Sequence, residues 1–324
     1  MKTMKWLVRR EVWEHKGMLA WAPLAVAALM LVFVLVAAIK GHGATLQFND
    51  VQIEPDMTVQ LGARQQQAMT DTIATVFPVG AIPLYATLGF IVFFYSLGAL
   101  YDERRDRSIL FWKSLPVSDT ATVLSKALLA LVGIPLFIVA VELATSLVML
   151  AIMLVLLATK GVYLFGPVLT HPQFWLGPLK VLSLLPVYAL WALPAVGWLL
   201  LVSAWARSKP FLWAVGVPLL TMALLAWAEK GLRLGIDSGW LVQKFIGRLL
   251  ISVAPGTWLM ADNVIHRARD LDIAANVRGP VAASDLIFQS SWAAVATPET
   301  IIGALAGIGM IAAAIWLRRR REET

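Results

Sequence analysis

Long apolar runs alternate with short charged segments along this chain, and the alternation predicts a helical protein that crosses a membrane several times. Six runs are long enough for a spanning helix, which needs about 20 apolar residues. We expect spans over residues 18–39, 75–100, 127–158, 179–206, 211–228 and 298–317. The predicted fold is an all-α polytopic membrane protein, with the whole chain in one transmembrane domain.

Basic clusters at alternate ends of these runs indicate the topology. They lie at residues 1–17, 101–126, 207–209 and 318–321. Because short loops rich in Lys and Arg stay in the cytoplasm, the pattern predicts six spans with both termini cytoplasmic. With these flanks inside, the localisation that we expect is a bacterial inner membrane.

The remaining segments complete the predicted layout. Residues 1–17 carry Trp6 and Trp13 on one side of a helix and predict an interfacial helix before the first span. Residues 160–178 predict a short outer loop. Residues 229–297 predict an extracytoplasmic region whose apolar part forms a re-entrant or a surface-lying helix.

Composition fits this class and excludes others. The chain has 324 residues, of which 59% are hydrophobic and 15% charged, with a net charge of +7. Since the positive charge lies mainly beside the spans, it follows from topology and does not indicate nucleic-acid binding. The absence of cysteine excludes disulfides and thiolate metal sites.

Catalytic motifs are also missing from the sequence. It contains no G-x-x-x-x-G-K-[ST] loop that could bind ATP, no H-E-x-x-H zinc motif and no G-x-S-x-G nucleophile elbow. We therefore expect no enzymatic activity and no cofactor in this chain itself.

One acidic residue, Glu142, lies well inside an apolar run. An intramembrane carboxylate is costly to leave facing lipid, so it marks a candidate functional site, here a position on a translocation path. The alternative is a structural role, in which Glu142 hydrogen-bonds a neighbouring helix.

The segment 101–126 is a charged island between two long apolar runs. Ile109, Trp112 and Leu115 recur at helical spacing with Phe111 beside them, and Pro116 ends the pattern. A short cytoplasmic helix with this apolar face suits docking onto a partner protein. The alternative is an ordinary basic loop whose tryptophan lies among lipid headgroups.

The same segment carries an extended motif, E-R-x-x-x-[ST]-I-L-F-W-x-S-L-P-V-S-x-x-x-x-V-x-x-K. Its matching residues are Glu103, Arg104, Ser108, Ile109, Leu110, Phe111, Trp112, Ser114, Leu115, Pro116, Val117, Ser118, Val123 and Lys126. The motif resembles that of the permease subunits of type-2 ABC exporters, and the layout of six spans is similar to theirs over the whole chain. The long segments 41–71 and 229–298 are where this chain is expected to differ.

The resemblance implies a transport subunit that works with separate proteins. Two permease chains, identical or different, would pair in the bilayer. Each would rest its coupling helix, residues 104–116, in a groove of one of two ABC ATPase subunits, which bind ATP and Mg²⁺. The residues that the resemblance assigns to ATPase docking are Arg104, Arg105, Arg107, Ile109, Phe111, Trp112, Lys113 and Leu115. The sparse charge of the spans favours a hydrophobic or amphipathic substrate. An ion-gradient-driven carrier and an ATPase-independent scaffold or sensor are the alternative functions.

Overall fold

The computed structural model describes residues 2–40, 62–106, 117–232, 237–261 and 279–320. Within these residues the regular secondary structure is entirely helical, without strands. Six helical runs are long and apolar enough to cross a membrane, and we number them spans 1 to 6 in chain order: Gly17–Ile39, Ala63–Arg105, Asp119–Thr159, Pro172–Trp205, Pro210–Leu232 and Pro298–Arg320. The predicted class, a multi-pass helical membrane protein, is confirmed at this level.

The spans are assembled from shorter helices. In chain order these are α1 Lys2–Glu14, α2 Ala22–Ile39, α3 Ala63–Val76, α4 Ile82–Gly98, α5 Tyr101–Arg105, α6 Asp119–Leu128, α7 Ile134–Thr159, α8 Phe165–Thr170, α9 Pro172–Ser183, α10 Leu185–Trp205, α11 Pro210–Leu232, α12 Ser238–Leu241, α13 Gly247–Ile251, α14 Trp258–Ala261, α15 Pro280–Val295 and α16 Pro298–Arg320. Short π-helical segments at Gly17–Trp21, Leu129–Gly133 and Val242–Ile246 and a 3₁₀ turn at Phe77–Val79 join some of them.

The segment predicted as an outer loop at 160–178 is largely helical, so that expectation was wrong. Helix α9 begins with Pro172 at its first position, and the His171 ring accepts a hydrogen bond from the Gln173 amide at 3.2 Å. A helix tolerates proline there because its first amides lack intrahelical acceptors. Four aromatic side chains and three prolines in this stretch gave it the appearance of an interfacial loop.

Two apolar clusters form the interior. The larger one lies among spans 2, 3, 4 and 6 and includes Val92, Ile138 and Leu199, each almost fully buried. The smaller one joins α3, α7 and α8 where spans 2 and 3 meet the 160–168 segment. Spans 1 and 5 leave most of their apolar side chains exposed, as Phe33 and Leu220 illustrate, which suits helices that face lipid.

The region before span 6 turns back between the spans. After α13 the chain makes a turn at 252–257, and the hydroxyl of Tyr188 in α10 donates to the carbonyl of Val253 at 2.9 Å. A Cβ placed on Gly89, in the middle of α4, would lie 3.3 Å from the Cα of Ala254. Of the two arrangements that the sequence left open for this region, the packing favours the re-entrant one.

Candidate functional site

The candidate coupling segment lies between α5 and α6, and the structure describes the two ends where it joins the helices. Six of the predicted docking residues lie outside the described residues: Arg107, Ile109, Phe111, Trp112, Lys113 and Leu115. Arg104 and Arg105 are described. We call the side of the molecule that carries this segment the loop end, and the other side the opposite end.

Four ionisable side chains from four distant parts of the chain meet at the loop end. They are Glu11 in α1, Glu103 in α5, Lys126 in α6 and Arg318 in α16, and each is at most 7% exposed. We call these four residues the buried charge cluster. Such groups are seldom buried unless they are paired.

The pairing within the cluster is close. The Lys126 ammonium lies 2.8 Å from Glu11 Oε1 and 3.0 Å from Glu103 Oε1. Arg318 Nη1 donates to Glu103 Oε2 at 2.7 Å, so Glu103 uses both oxygens on different partners. Two carboxylates therefore balance two cations, and the cluster is neutral in its ionised form.

Three further side chains border the cluster. Tyr95 in α4 donates its hydroxyl to Glu11 Oε2 at 3.0 Å, and Arg10 Nη2 donates to Glu103 Oε1 at 3.3 Å. On the other side, Arg318 Nε donates to Asp119 Oδ1 at 2.9 Å. Asp119 is the first residue of α6, so Arg318 contacts the chain both before and after the 107–116 segment.

A second set of contacts attaches α5 to span 4. The hydroxyl oxygen of Ser203 accepts the amides of Leu100 and Tyr101, each at 2.9 Å. In return, Arg104 Nη2 donates to the carbonyls of Ser203 and Ala206 at the end of α10. Each helix thus supplies partners for backbone groups that the other helix's terminus leaves unpaired.

The two described docking residues differ in their surroundings. Arg104 is directed to span 4 by these hydrogen bonds. Arg105 is 63% exposed in its side chain, and its ion pairs among the described residues are with the neighbouring acids Asp102 and Asp106, at 3.9 and 3.2 Å. Of the two guanidinium groups, that of Arg105 is therefore the one exposed at this surface.

The arrangement can hold both ends of the 107–116 segment in a fixed relation to the spans. The first and last residues of the motif, Glu103 and Lys126, form one ion pair, although 22 residues of sequence separate them. In the sequence, Glu103 and Lys126 are recognisable only as motif residues, and Arg318 only as a marker of topology. The available signal was charge of both signs at the ends of apolar runs.

Glu142 lies in a separate polar group in the interior, where span 2 is interrupted. It is fully buried, accepts the Ser146 hydroxyl at 2.9 Å and accepts the Tyr85 hydroxyl at 3.2 Å. Ser146 in turn accepts the amide of Ala81 at 3.1 Å, directly before α4 begins at Ile82. This placement favours the structural role for Glu142 over a position on a translocation path, because its hydrogen bonds support a helix start.

Substitutions at Glu142 should separate these two roles. Because a glutamine keeps a carbonyl acceptor in the same place, we expect Glu142→Gln to keep the free energy of unfolding within about 1 kcal/mol of the wild type. Glu142→Leu leaves the Tyr85 and Ser146 hydroxyls without their acceptor and should cost about 1–3 kcal/mol. Denaturation of the purified variants in detergent checks the order, and equal stability of the two would contradict the structural role.

Among the described residues, no group of three or more His, Asp or Glu side chains is arranged to hold a metal ion. The acids at the loop end are instead paired with Arg and Lys. No family model, no curated protein and no solved structure matches this chain.

Proposed function

We propose that this chain is the membrane-spanning permease subunit of an ATP-driven exporter of the type-2 ABC class. Two such chains would form the translocation path. Each would receive force from a separate ATPase through the coupling helix at residues 104–116. The chain itself binds no nucleotide in this proposal, because ATP and Mg²⁺ belong to the ATPase subunits.

The observation that carries the proposal is the ion pair between Glu103 and Lys126 within the buried charge cluster. A lever that is pushed by a partner needs both of its attachment points held together, since a loose attachment would absorb the displacement. The residues that open and close the motif meet at 3.0 Å, and both side chains are at most 5% exposed. The motif and the geometry therefore support the same role for this segment.

The docking surface divides into an apolar anchor and a charged rim in this proposal. Phe111, Trp112, Ile109 and Leu115 supply the anchor, in keeping with the large share of binding energy that aromatic residues carry at interfaces. Arg105, Arg107 and Lys113 steer the ATPase by long-range charge. Arg104 has a different part, because its hydrogen bonds hold α5 on span 4.

The alternative functions have less support. An ion-gradient-driven carrier needs a carboxylate that exchanges between partners or with water, whereas Glu142 is buried and hydrogen-bonded at a helix start. A scaffold or sensor would not need the dense ion pairing at the ends of one short loop. The sparse charge within the spans favours a hydrophobic or amphipathic substrate for the exporter.

Purification of the tagged chain from its native membrane tests the proposal. We expect a P-loop ATPase to co-purify and the complex to hydrolyse ATP. The double variant Phe111→Ala/Trp112→Ala should lower the ATPase recovered by about tenfold or more, because buried aromatic anchors often contribute over 2 kcal/mol each. Mass spectrometry and an ATPase assay on the eluate measure both quantities.

The matched control is Phe165→Ala/Trp175→Ala, which removes two exposed aromatic side chains at the opposite end. It should leave the recovered ATPase unchanged. A chain that purifies without any P-loop ATPase, or an ATPase that is retained equally by both double variants, would overturn the proposed function.

A further inference from the structure

Spans 4 and 6 connect the loop end to the re-entrant element at 247–257, and polar contacts hold the two helices at both of these places. We infer that these two helices act as one strut, with Arg318 and Arg248 as its positioning residues, which carries displacement of the coupling segment to the re-entrant turn at 252–257. The role of this strut in transport rests on the proposed function. The mechanical link between the two ends is a property of the chain alone.

At the loop end, the strut holds both attachment points of the coupling segment. Span 6 supplies Arg318, which bonds Glu103 before the segment and Asp119 after it. Span 4 supplies Ser203, whose side chain accepts the amides of Leu100 and Tyr101. Displacement of α5 or α6 relative to the strut would break charged hydrogen bonds that are shielded from water, so the two move together.

In the middle, the two helices are in direct backbone contact. A Cβ placed on Gly307 of span 6 would lie 2.6 Å from the Leu193 carbonyl oxygen of span 4, and one placed on Gly197 would lie 2.5 Å from the Gly307 oxygen. Small residues at a helix interface allow this close approach in membranes. Contact between the two backbones leaves little room for the helices to shift relative to each other.

Away from the loop end, the strut holds the re-entrant element. Arg248 in α13 donates from Nη1 to the Glu299 carbonyl at 2.7 Å, and its guanidinium lies 3.9 Å from the centre of the Trp191 ring in span 4. Gly303 makes room for this group, since a Cβ there would lie 2.9 Å from Arg248 Nη1. Tyr188 and Trp191 bind Val253 and Thr257 of the turn at 2.9 and 3.0 Å.

Span 6 is suited to transmit displacement because of its continuity. As described, α16 runs unbroken from Pro298 to Arg320, with its single proline at the first position. Each other span contains an internal proline, a π-helical segment or a break within the described residues. At 1.5 Å per residue, the 19 steps from Glu299 to Arg318 cover about 29 Å, roughly the thickness of the bilayer core.

Hydrogen exchange of the purified chain in nanodiscs, without any ATPase, tests the link in both directions. Arg318→Gln removes the ion pairs at the loop end, and hydrogen exchange is then measured for the amides of residues 238–257. Arg248→Gln removes the guanidinium contacts of the re-entrant element, and hydrogen exchange is then measured for the amides of Tyr101–Arg105 and Asp119–Leu128. We expect exchange at the distant end to accelerate about fivefold or more, because coupling between sites commonly reaches this size and is reciprocal.

Two control variants perturb polar groups that are not part of the strut contacts. Arg320→Gln removes a guanidinium on the same helix that lies over the Trp316 ring, 4.3 Å from its centre. Asp71→Asn removes the partner of His171 in the ion pair at the opposite end. Distant exchange in both should stay within about twofold of the wild type, as expected for sites without shared partners.

The outcomes are decisive even if one variant folds poorly. Arg318→Lys keeps the positive charge but has one donor group where arginine has several, so it should accelerate hydrogen exchange at 238–257 less than Arg318→Gln does. The Arg248→Gln experiment tests the link independently. If, in both experiments, hydrogen exchange accelerates only at the end that carries the substitution, the strut is overturned. A missing ATPase in the pull-down overturns the exporter and leaves this measurement unaffected, so the two failures are distinguishable.

Discussion

Replacing Lys126 with methionine should lower the free energy of unfolding by about 3–5 kcal/mol, one of the two largest effects expected for a single substitution in this chain. The substitution keeps the side-chain volume but removes the cation that lies between Glu11 and Glu103. Glu11 then loses its closest cation in a buried site, because Arg10 Nη2 lies 3.7 Å from Glu11 and Arg318 contacts Glu103 instead. Removing one partner of a buried ion pair leaves an uncompensated charge, and losses of this size result.

Thermal unfolding in detergent, followed by the fluorescence of the 14 tryptophans, measures the effect. Arg105→Met is the control, because its side chain is 63% exposed and its pairs with Asp102 and Asp106 are at the surface. Such pairs contribute about 0–1 kcal/mol. A loss in Lys126→Met no larger than that in Arg105→Met would show that the cluster does not stabilise the fold.

A second variant separates the charge from the packing. Lys126→Met/Glu11→Gln removes one carboxylate together with the cation, so the remaining acid, Glu103, keeps Arg318 and Arg10 as partners. We expect the double variant to be more stable than Lys126→Met alone, because the unbalanced charge is gone. If the double variant is less stable by the sum of both losses, the contribution of Lys126 lies in packing.

The pattern of apolar runs was sufficient to predict the class of fold and the position of the candidate site. Spanning helices have a local signature, since each must satisfy its backbone internally and present about 20 apolar residues to lipid. The motif at 103–126 is likewise contiguous. Both features can be read without knowing which helices are neighbours.

The partners of the charged residues could not be predicted in this way. Glu11 and Lys126 are 115 positions apart, and Glu103 and Arg318 are 215 apart. Basic residues at the ends of spans are ordinarily explained by the positive-inside rule alone. Here Lys126 and Arg318 are buried in ion pairs, a role that depends on which helix ends meet and that periodicity does not encode.

The role of Glu142 could not be predicted from the sequence for the same reason. Its sequence context fits both a transport path and a structural hydrogen bond, because both place a carboxylate in an apolar helix. The deciding feature is the interruption of span 2 at Phe77–Val79, followed by Ala81, whose amide binds Ser146. Pro78 and Pro83 were visible in the sequence, but the helix opposite the break was not.

Gly307 should be as sensitive as the charge cluster, for a steric reason. In Gly307→Leu even the first added carbon would lie 2.6 Å from the Leu193 carbonyl oxygen, and backbone cannot rotate away as a side chain can. Spans 4 and 6 must separate, which forfeits the close contacts that hold helices together in a membrane. Since overpacking ordinarily costs about 1–3 kcal/mol and this clash is with backbone, we expect a loss of about 3 kcal/mol or more.

Gly309, two residues after Gly307 on the same helix, provides the matched control. A Cβ at Gly309 meets no atom within 4 Å, so Gly309→Leu adds the same side chain in open space. It should be neutral or slightly stabilising, because leucine favours a helix over glycine by up to about 1 kcal/mol. Denaturation of both variants under identical conditions gives the comparison. If Gly307→Leu is as stable as Gly309→Leu, spans 4 and 6 are not packed backbone to backbone, and the strut loses its rigid centre.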